Sequence, residues 1–160
     1  MRQGAVVLAA QHGQHPETVW AAAEEASRRG ALLRVVHAAP DDRRSRALVA
    51  DVREVLRTLR WRAEVEVDVV EADPVEVLLT ESDDASLLVL GVDHGPGGPR
   101  PWRHHSVLDA VALAARCPTI AVPSRLLGAG HSAGIVVAID EVATAHGLLD
   151  FAFDAARRRG

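Results

Sequence analysis

The chain contains one cysteine, Cys117, no lysine, and no apolar run near the roughly 20 residues that span a bilayer. A single cysteine excludes an internal disulfide framework. The 18 basic residues are outnumbered by 22 acidic ones, and the net charge of −4 gives no broad cationic field to neutralise a nucleic-acid backbone. The first residues lack the apolar segment of a signal peptide. We therefore expect a cytoplasmic protein that binds neither nucleic acid nor membrane.

Five short segments have the pattern of β-strands. Residues 5–10, 32–37, 87–90 and 119–122 are nearly continuous apolar runs, as strands buried on both faces require. Residues 64–70 instead alternate acidic side chains with valine, which indicates one wet face. We expect this third strand to lie at an edge of the sheet.

Helix signals lie between these strands. Pro16 fits the first turn of a helix that ends at Gly30, and Asp73, followed by Pro74 and Glu76, has the spacing of a capping box. Ser106 is the predicted cap of a fourth helix. The apolar stripes are Leu48, Val52, Val55 and Leu59 in the second helix, and Leu108, Val111, Ala112 and Ala115 in the fourth.

Alternating strands and helices predict an α/β fold with a doubly wound, five-stranded parallel sheet and helices on both faces. The edge pattern of the third strand favours the Rossmann-like order 3-2-1-4-5. In that order the strands are added toward one edge of the sheet up to strand three and toward the other edge from strand four, so the strand order reverses between strands one and four. We therefore expect a ligand crevice between the loop after Ala10 and the glycine-rich loop after Gly91.

Two segments carry a family resemblance: VVEADPVEVLLTESDDASLLVLG, which is followed by a glycine-rich loop, and RCPTIAVP. Together they resemble the universal stress protein family over residues 4–124. The resemblance implies the fold just described and a stress-response, nucleotide-binding module without catalysis. It also implies a homodimer formed through residues 118–123, and in one branch of the family it implies bound ATP.

The end of the chain repeats its beginning. Residues 134–160 follow the pattern of residues 4–30 at an offset of 130 residues, with an apolar segment, an alanine-containing helix and Arg-Arg-Gly at the end. We interpret residues 1–124 as one domain, 125–133 as a linker and 134–160 as the first strand and helix of an incomplete second repeat. Residues 135–139 are the expected strand.

The resemblance also locates candidate nucleotide-binding residues. Family members that bind ATP carry an aspartate at the position of Ala10 and a glycine at that of His105, and the loop here is one residue longer than theirs. A histidine restricts the backbone and adds bulk where phosphate approaches a glycine. We expect a degenerate site with no cofactor and only weak ATP binding. Its positions are Ala10, Ala38, Gly91, Gly95, His105, Ser106 and Val107.

Two other functions remain open: an ATP-binding stress sensor that uses replacement contacts, and a scaffold that acts only through dimerisation. A regulatory protein partner is expected in each case, and its identity is open. We find no Ser-His-Asp order and no paired carboxylates with a positioned base, so we expect no enzyme.

Histidines are concentrated in the two crevice loops. Neutral imidazoles from neighbouring loops are zinc ligands, so His12, His15, His104 and His105 form a candidate metal site. The alternative is that they are solvated loop residues. We expect His37 to pack at the edge of the crevice, and Cys117 to be packed rather than reactive.

Overall fold

The structure, a computed structural model, describes residues 4–39, 45–59, 61, 64–92, 107–123, 135–141, 143 and 145–159. The chain divides into two compact units, Met1–Arg125 and Leu126–Gly160. Among the described residues, the first unit contains the sheet and the second contains one α-helix.

The sheet of the first unit has five parallel strands in the order β3-β2-β1-β4-β5. This confirms the predicted fold class and strand order. The strands are β1 (Val6–Ala9), β2 (Leu33–Ala38), β3 (Val65–Val70), β4 (Leu87–Val92) and β5 (Thr119–Pro123). The helices between them are α1 (Pro16–Arg29), α2 (Ser45–Thr58), α3 (Pro74–Glu81) and α4 (Val107–Ala114); α5 (His146–Arg159) belongs to the second unit.

The predicted helix boundaries in the first unit rest on specific hydrogen bonds. The side chain of Asp73 accepts from the backbone N–H of Val75 at 2.9 Å and of Glu76 at 3.2 Å, which caps α3. Gly30 adopts a left-handed conformation with φ of 59°, which ends α1. The start of α3 and the end of α1 are therefore set by local chemistry.

The core is centred on the two middle strands. Val6, Val7 and Leu8 of β1, with Leu87, Leu88 and Val89 of β4, are at most 1% exposed, because helices cover both faces of these strands. Alternate side chains of a strand point to opposite faces, so Val7 and Leu88 cluster with Leu78 of α3 and Val111 of α4 on one face. Each such burial of a leucine or valine contributes about 1.5–3 kcal/mol.

The acidic residues of β3 have a partner at the edge of the sheet. Arg34 of β2 contacts Asp68 at 2.8 Å, Glu81 of α3 at 3.3 Å and Glu66 at 4.0 Å. The acidic side chains on the solvent-facing side of the edge strand therefore form ion pairs with Arg34. Such partly exposed ion pairs contribute little stability individually.

The structure corrects four expectations from the sequence, which concern the strands and the buried faces of helices. Gly91 lies inside β4 rather than after it. In α2, Leu56 is buried whereas Leu59 is 37% exposed, and Ala112 of α4 is exposed. Residues 135–139 form no strand, and Val136 is 93% exposed. A strand needs a hydrogen-bonded neighbour, and none of the described residues pairs with this segment.

Candidate functional site

A cavity of about 400 Å³ lies at the carboxyl ends of β1, β2 and β4. Its described lining consists of residues 9–11, 36–38, 90–92 and 107–108, with Pro74 and Leu78 of α3. Open α/β sheets bind ligands at this edge, where the strand order reverses, and the volume is within the range of small-molecule sites. The fold thus forms a crevice where the strand order predicts one.

The cavity brings together four of the candidate positions: Ala10, Ala38, Gly91 and Val107. Gly95, His105 and Ser106 lie outside the described residues. Their contribution to a nucleotide site therefore stays a prediction.

Both backbone polar groups of Ala10 form hydrogen bonds at the end of the sheet. Its N–H donates to the carbonyl of Val36 at 2.8 Å, and its carbonyl accepts from Nδ1 of His37 at 2.8 Å. The residue is 7% exposed, and its methyl group adds no charge to the wall. Among the described lining residues no side chain is acidic, and none is a lysine or an arginine.

His37 joins the ends of β1 and β2. It is 4% exposed, and because a carbonyl can only accept, Nδ1 must carry the hydrogen of the bond to Ala10. Nε2 is buried, so it has no open surface toward the cavity. The ring of His12 packs against this imidazole edge to face, with centroids 5.0 Å apart and planes at 75°. The sequence placed His37 at the crevice edge, and the structure confirms this position.

The loop after β1 is held by hydrogen bonds between its own residues. The N–H of Gln11 donates to Oε1 of Gln14 at 3.0 Å, and the N–H of Gln14 donates back to the carbonyl of Gln11 at 3.1 Å. Gly13 adopts φ of 72° within this turn, a conformation that other residues rarely adopt. The loop therefore presents the side chain of Gln11 from a fixed backbone. Sequence reasoning placed this loop at the crevice but singled out Ala10 and the histidines, so Gln11 was not named.

Gly91 allows the loop to pack closely on β4. A Cβ atom at this position would lie 3.1 Å from both Nε2 of Gln14 and Oγ1 of Thr18, which is closer than nearly all such contacts. Thr18 is 1% exposed, so it has little room to move. Nε2 of Gln14 is buried and has no hydrogen-bond partner among the described residues. A packing requirement therefore accounts for this glycine without any ligand.

The described part of the predicted metal site holds two histidines, His12 and His15. No group of three or more histidine, cysteine or acidic side chains that could hold a metal occurs among the described residues. His104 and His105 lie outside them, so the four-histidine site is untested and stays a prediction.

Cys117 is partly buried beside the core of the first unit. Burial raises the pKa of its thiol, because the thiolate loses solvation there. The thiolate is the nucleophilic form, so this environment disfavours reactivity. The observation agrees with a packed rather than a reactive cysteine.

No described helix combines the length and apolar character needed to cross a membrane.

No family model and no curated protein matches the chain. Solved structures of universal stress proteins do match it. One, in complex with cAMP, has 20% identity and a TM-score of 0.64, covering 77% of this chain and 99% of that one. A second, from Archaeoglobus fulgidus, has 25% identity and a TM-score of 0.56, covering 76% of this chain and 99% of its own.

The universal stress protein from Archaeoglobus fulgidus in complex with dAMP has 24% identity and a TM-score of 0.59, and it covers 76% of this chain and 99% of its own. These likenesses agree with the strand order described above. The chain therefore has the α/β fold of the universal stress proteins.

Proposed function

We propose that the chain is a universal stress protein-like regulatory module of the cytoplasm, without catalytic activity, whose crevice binds adenine nucleotides weakly. The observation that carries this proposal is the cavity at the carboxyl ends of β1, β2 and β4, whose described lining holds no acidic side chain, lysine or arginine. Ala10 stands in its wall where the family resemblance implies an aspartate. A hydrogen bond to such a charged group contributes about 1.5–3 kcal/mol, so its loss weakens binding at least tenfold.

The two relatives with bound cAMP and dAMP support an adenine nucleotide as the ligand class. Both share the fold of this chain, and the cavity here has the volume of a small-molecule site. The phosphate end of the site depends on residues 93–106, which lie outside the described part of the chain.

Competition between ATP and a fluorescent ATP analogue tests the proposal. We expect an ATP dissociation constant above about 10 μM, equivalent to binding weaker than roughly −7 kcal/mol. Ala10→Asp combined with His105→Gly should lower it, because the pair restores a carboxylate at one end and bare backbone at the other. A wild-type constant below that value would favour an ATP sensor with replacement contacts.

We also propose that the chain forms a homodimer through residues 118–123. β5 is an edge strand of the sheet, Ala121 on it is exposed, and Leu113 on the preceding helix is 85% exposed. An edge strand with apolar surface beside it favours pairing with another chain.

Light scattering of purified variants tests this dimer. Ala121→Glu should give a monomer, because it places a charge on the proposed interface. Val69→Glu is the matched control, since Val69 is 43% exposed on β3 at the opposite edge of the sheet. A wild-type protein that is monomeric at tens of micromolar would leave no basis for the dimer.

We also propose that residues 134–160 begin an incomplete second repeat, because α5 (His146–Arg159) begins and ends 130 residues after α1 (Pro16–Arg29). Phe153 of α5 lies 130 residues after Ala23 of α1, yet it is 68% exposed whereas Ala23 is 2% exposed. Ala152 and Ala155 of the same helix are buried, so α5 is covered on part of its apolar face and Phe153 lies largely outside that cover. Hydrogen exchange should be fast at residues 135–139 and slow at 6–9, and equal protection of the two segments would contradict this interpretation.

A further inference from the structure

We propose that the carboxamide of Gln11 recognises the uncharged, nucleoside part of the ligand that occupies the crevice. This inference rests on the proposed function, because it takes a nucleoside-bearing ligand as given. It adds the residue that selects the ligand and the part of the ligand that is selected.

The lining of the cavity leaves few side chains that can form a hydrogen bond. Among the described lining residues, only Gln11 and His37 carry polar side chains. Nδ1 of His37 is committed to the carbonyl of Ala10, and Nε2 is buried away from solvent. Gln11 is exposed, so within the described lining its carboxamide is the polar side-chain group that a ligand can reach.

The structure fixes the backbone from which this carboxamide extends. The N–H of Gln11 is bound to Gln14, and the preceding residue, Ala10, is bound by Val36 on one side and His37 on the other. The side chain reaches over the end of β4, where its Nε2 lies 3.6 Å from the position that a Cβ of Gly91 would take. The backbone beneath this side chain therefore needs little further ordering when a ligand binds.

The chemistry of the carboxamide suits a neutral partner. It offers two N–H donors and one carbonyl acceptor without charge, which complements the amino groups, ring nitrogens and hydroxyls of a nucleoside. The remaining described walls are apolar or backbone, and they suit a flat base. A phosphate gains most from cationic donors, and the described lining holds no lysine or arginine.

The test measures binding of adenosine and of AMP by calorimetry to the full chain and three variants. Gln11→Leu keeps the approximate size of the side chain and removes its hydrogen bonds, so both affinities should fall by the same factor, about three- to tenfold. Gln11→Glu places a carboxylate near the ligand, so the affinity for AMP should fall more than that for adenosine. Glu17→Leu, a change at another exposed position in the first turn of α1, should alter neither.

The outcomes separate the two proposals. If the wild type binds neither compound at millimolar concentration, the proposed function and this inference both fail. If the wild type binds and Gln11→Leu binds equally well, the role of Gln11 is wrong while the proposed function stands. An equal loss with Glu17→Leu would show that the loop is generally sensitive, which would also overturn the inference. Equal melting temperatures of all four proteins verify that each one is folded.

Discussion

The hydrogen bond between His37 and Ala10 should stabilise the edge of the sheet that forms the crevice. His37→Leu removes the donor and keeps an apolar side chain of moderate size at a position that is 4% exposed. The carbonyl of Ala10 then loses the bond that it accepts at 2.8 Å. A buried acceptor left without its donor costs about 1–3 kcal/mol.

Urea unfolding followed by circular dichroism measures this cost. With a urea dependence of about 1–3 kcal/mol per molar, a loss of about 2 kcal/mol lowers the midpoint by roughly 1 M. His37→Asn is the matched control, because its side-chain N–H₂ is the same number of bonds from the backbone as Nδ1 and can donate to the same carbonyl. We expect the asparagine variant to be the more stable of the two.

The same pair of variants distinguishes a hydrogen bond from simple packing. If His37→Leu is as stable as the wild type while His37→Asn is destabilised, the imidazole acts only by filling space, and our assignment of the bond is refuted. If the bond holds the end of β1, His37→Leu should also weaken adenosine binding, because the backbone that positions Gln11 becomes less fixed.

Three further predictions concern single residues of the first unit. Gly91→Ala should lower the melting temperature, because its Cβ would press on Gln14 and Thr18. Gly147→Ala in α5 should not, because the added carbon would point into open space. Asp73→Ala should cost about 1 kcal/mol in urea unfolding by removing the cap of α3, whereas Asp73→Asn, which keeps an acceptor, should cost less. Because the pKa of Cys117 is raised in the folded protein, the thiol of the unfolded chain ionises at lower pH. The stability that Cys117 contributes is therefore complete below the ordinary thiol pKa, and it is lost as the pH rises through the pKa of the folded protein. Its reaction with a disulfide reagent at pH 7.5 should be slow until urea unfolds the chain, and rapid reaction of the native protein would contradict this.

The strand order was predictable because its signals are local. The alternation of acid and valine in residues 64–70 identified an edge strand, and Asp73 with Pro74 fixed the start of α3. Each of these signals depends on residues a few positions apart. The structure changed only the ends of these elements, by one or two residues.

The contacts that shape the crevice were not predictable in the same way. His37 bonds to a residue 27 positions away, and Gly91 packs on side chains from the loop after β1. In the sequence, Gly91 looks like the end of a strand, because glycine is a common stop signal. Its close approach to Gln14 and Thr18 becomes visible only when the parallel sheet places β4 beside β1. Residues 135–139 show the converse, since the local pattern is that of a strand but no described neighbour pairs with it.

The described walls of the crevice hold no acidic side chain, lysine or arginine, and their hydrogen bonds are formed mainly within the sheet edge. The N–H and the carbonyl of Ala10 both form hydrogen bonds with residues of β2. The methyl side chain of Ala10 therefore completes the wall without a further polar contact. The Nδ1–H of His37 donates to the carbonyl of Ala10, and the neutral carboxamide of Gln11 lines the cavity beside it. A wall built in this way selects by shape and by neutral hydrogen bonds, and such contacts are screened little by salt. Adenosine affinity should therefore change little between low and physiological ionic strength, whereas recognition that depended on phosphate charge would weaken with added salt.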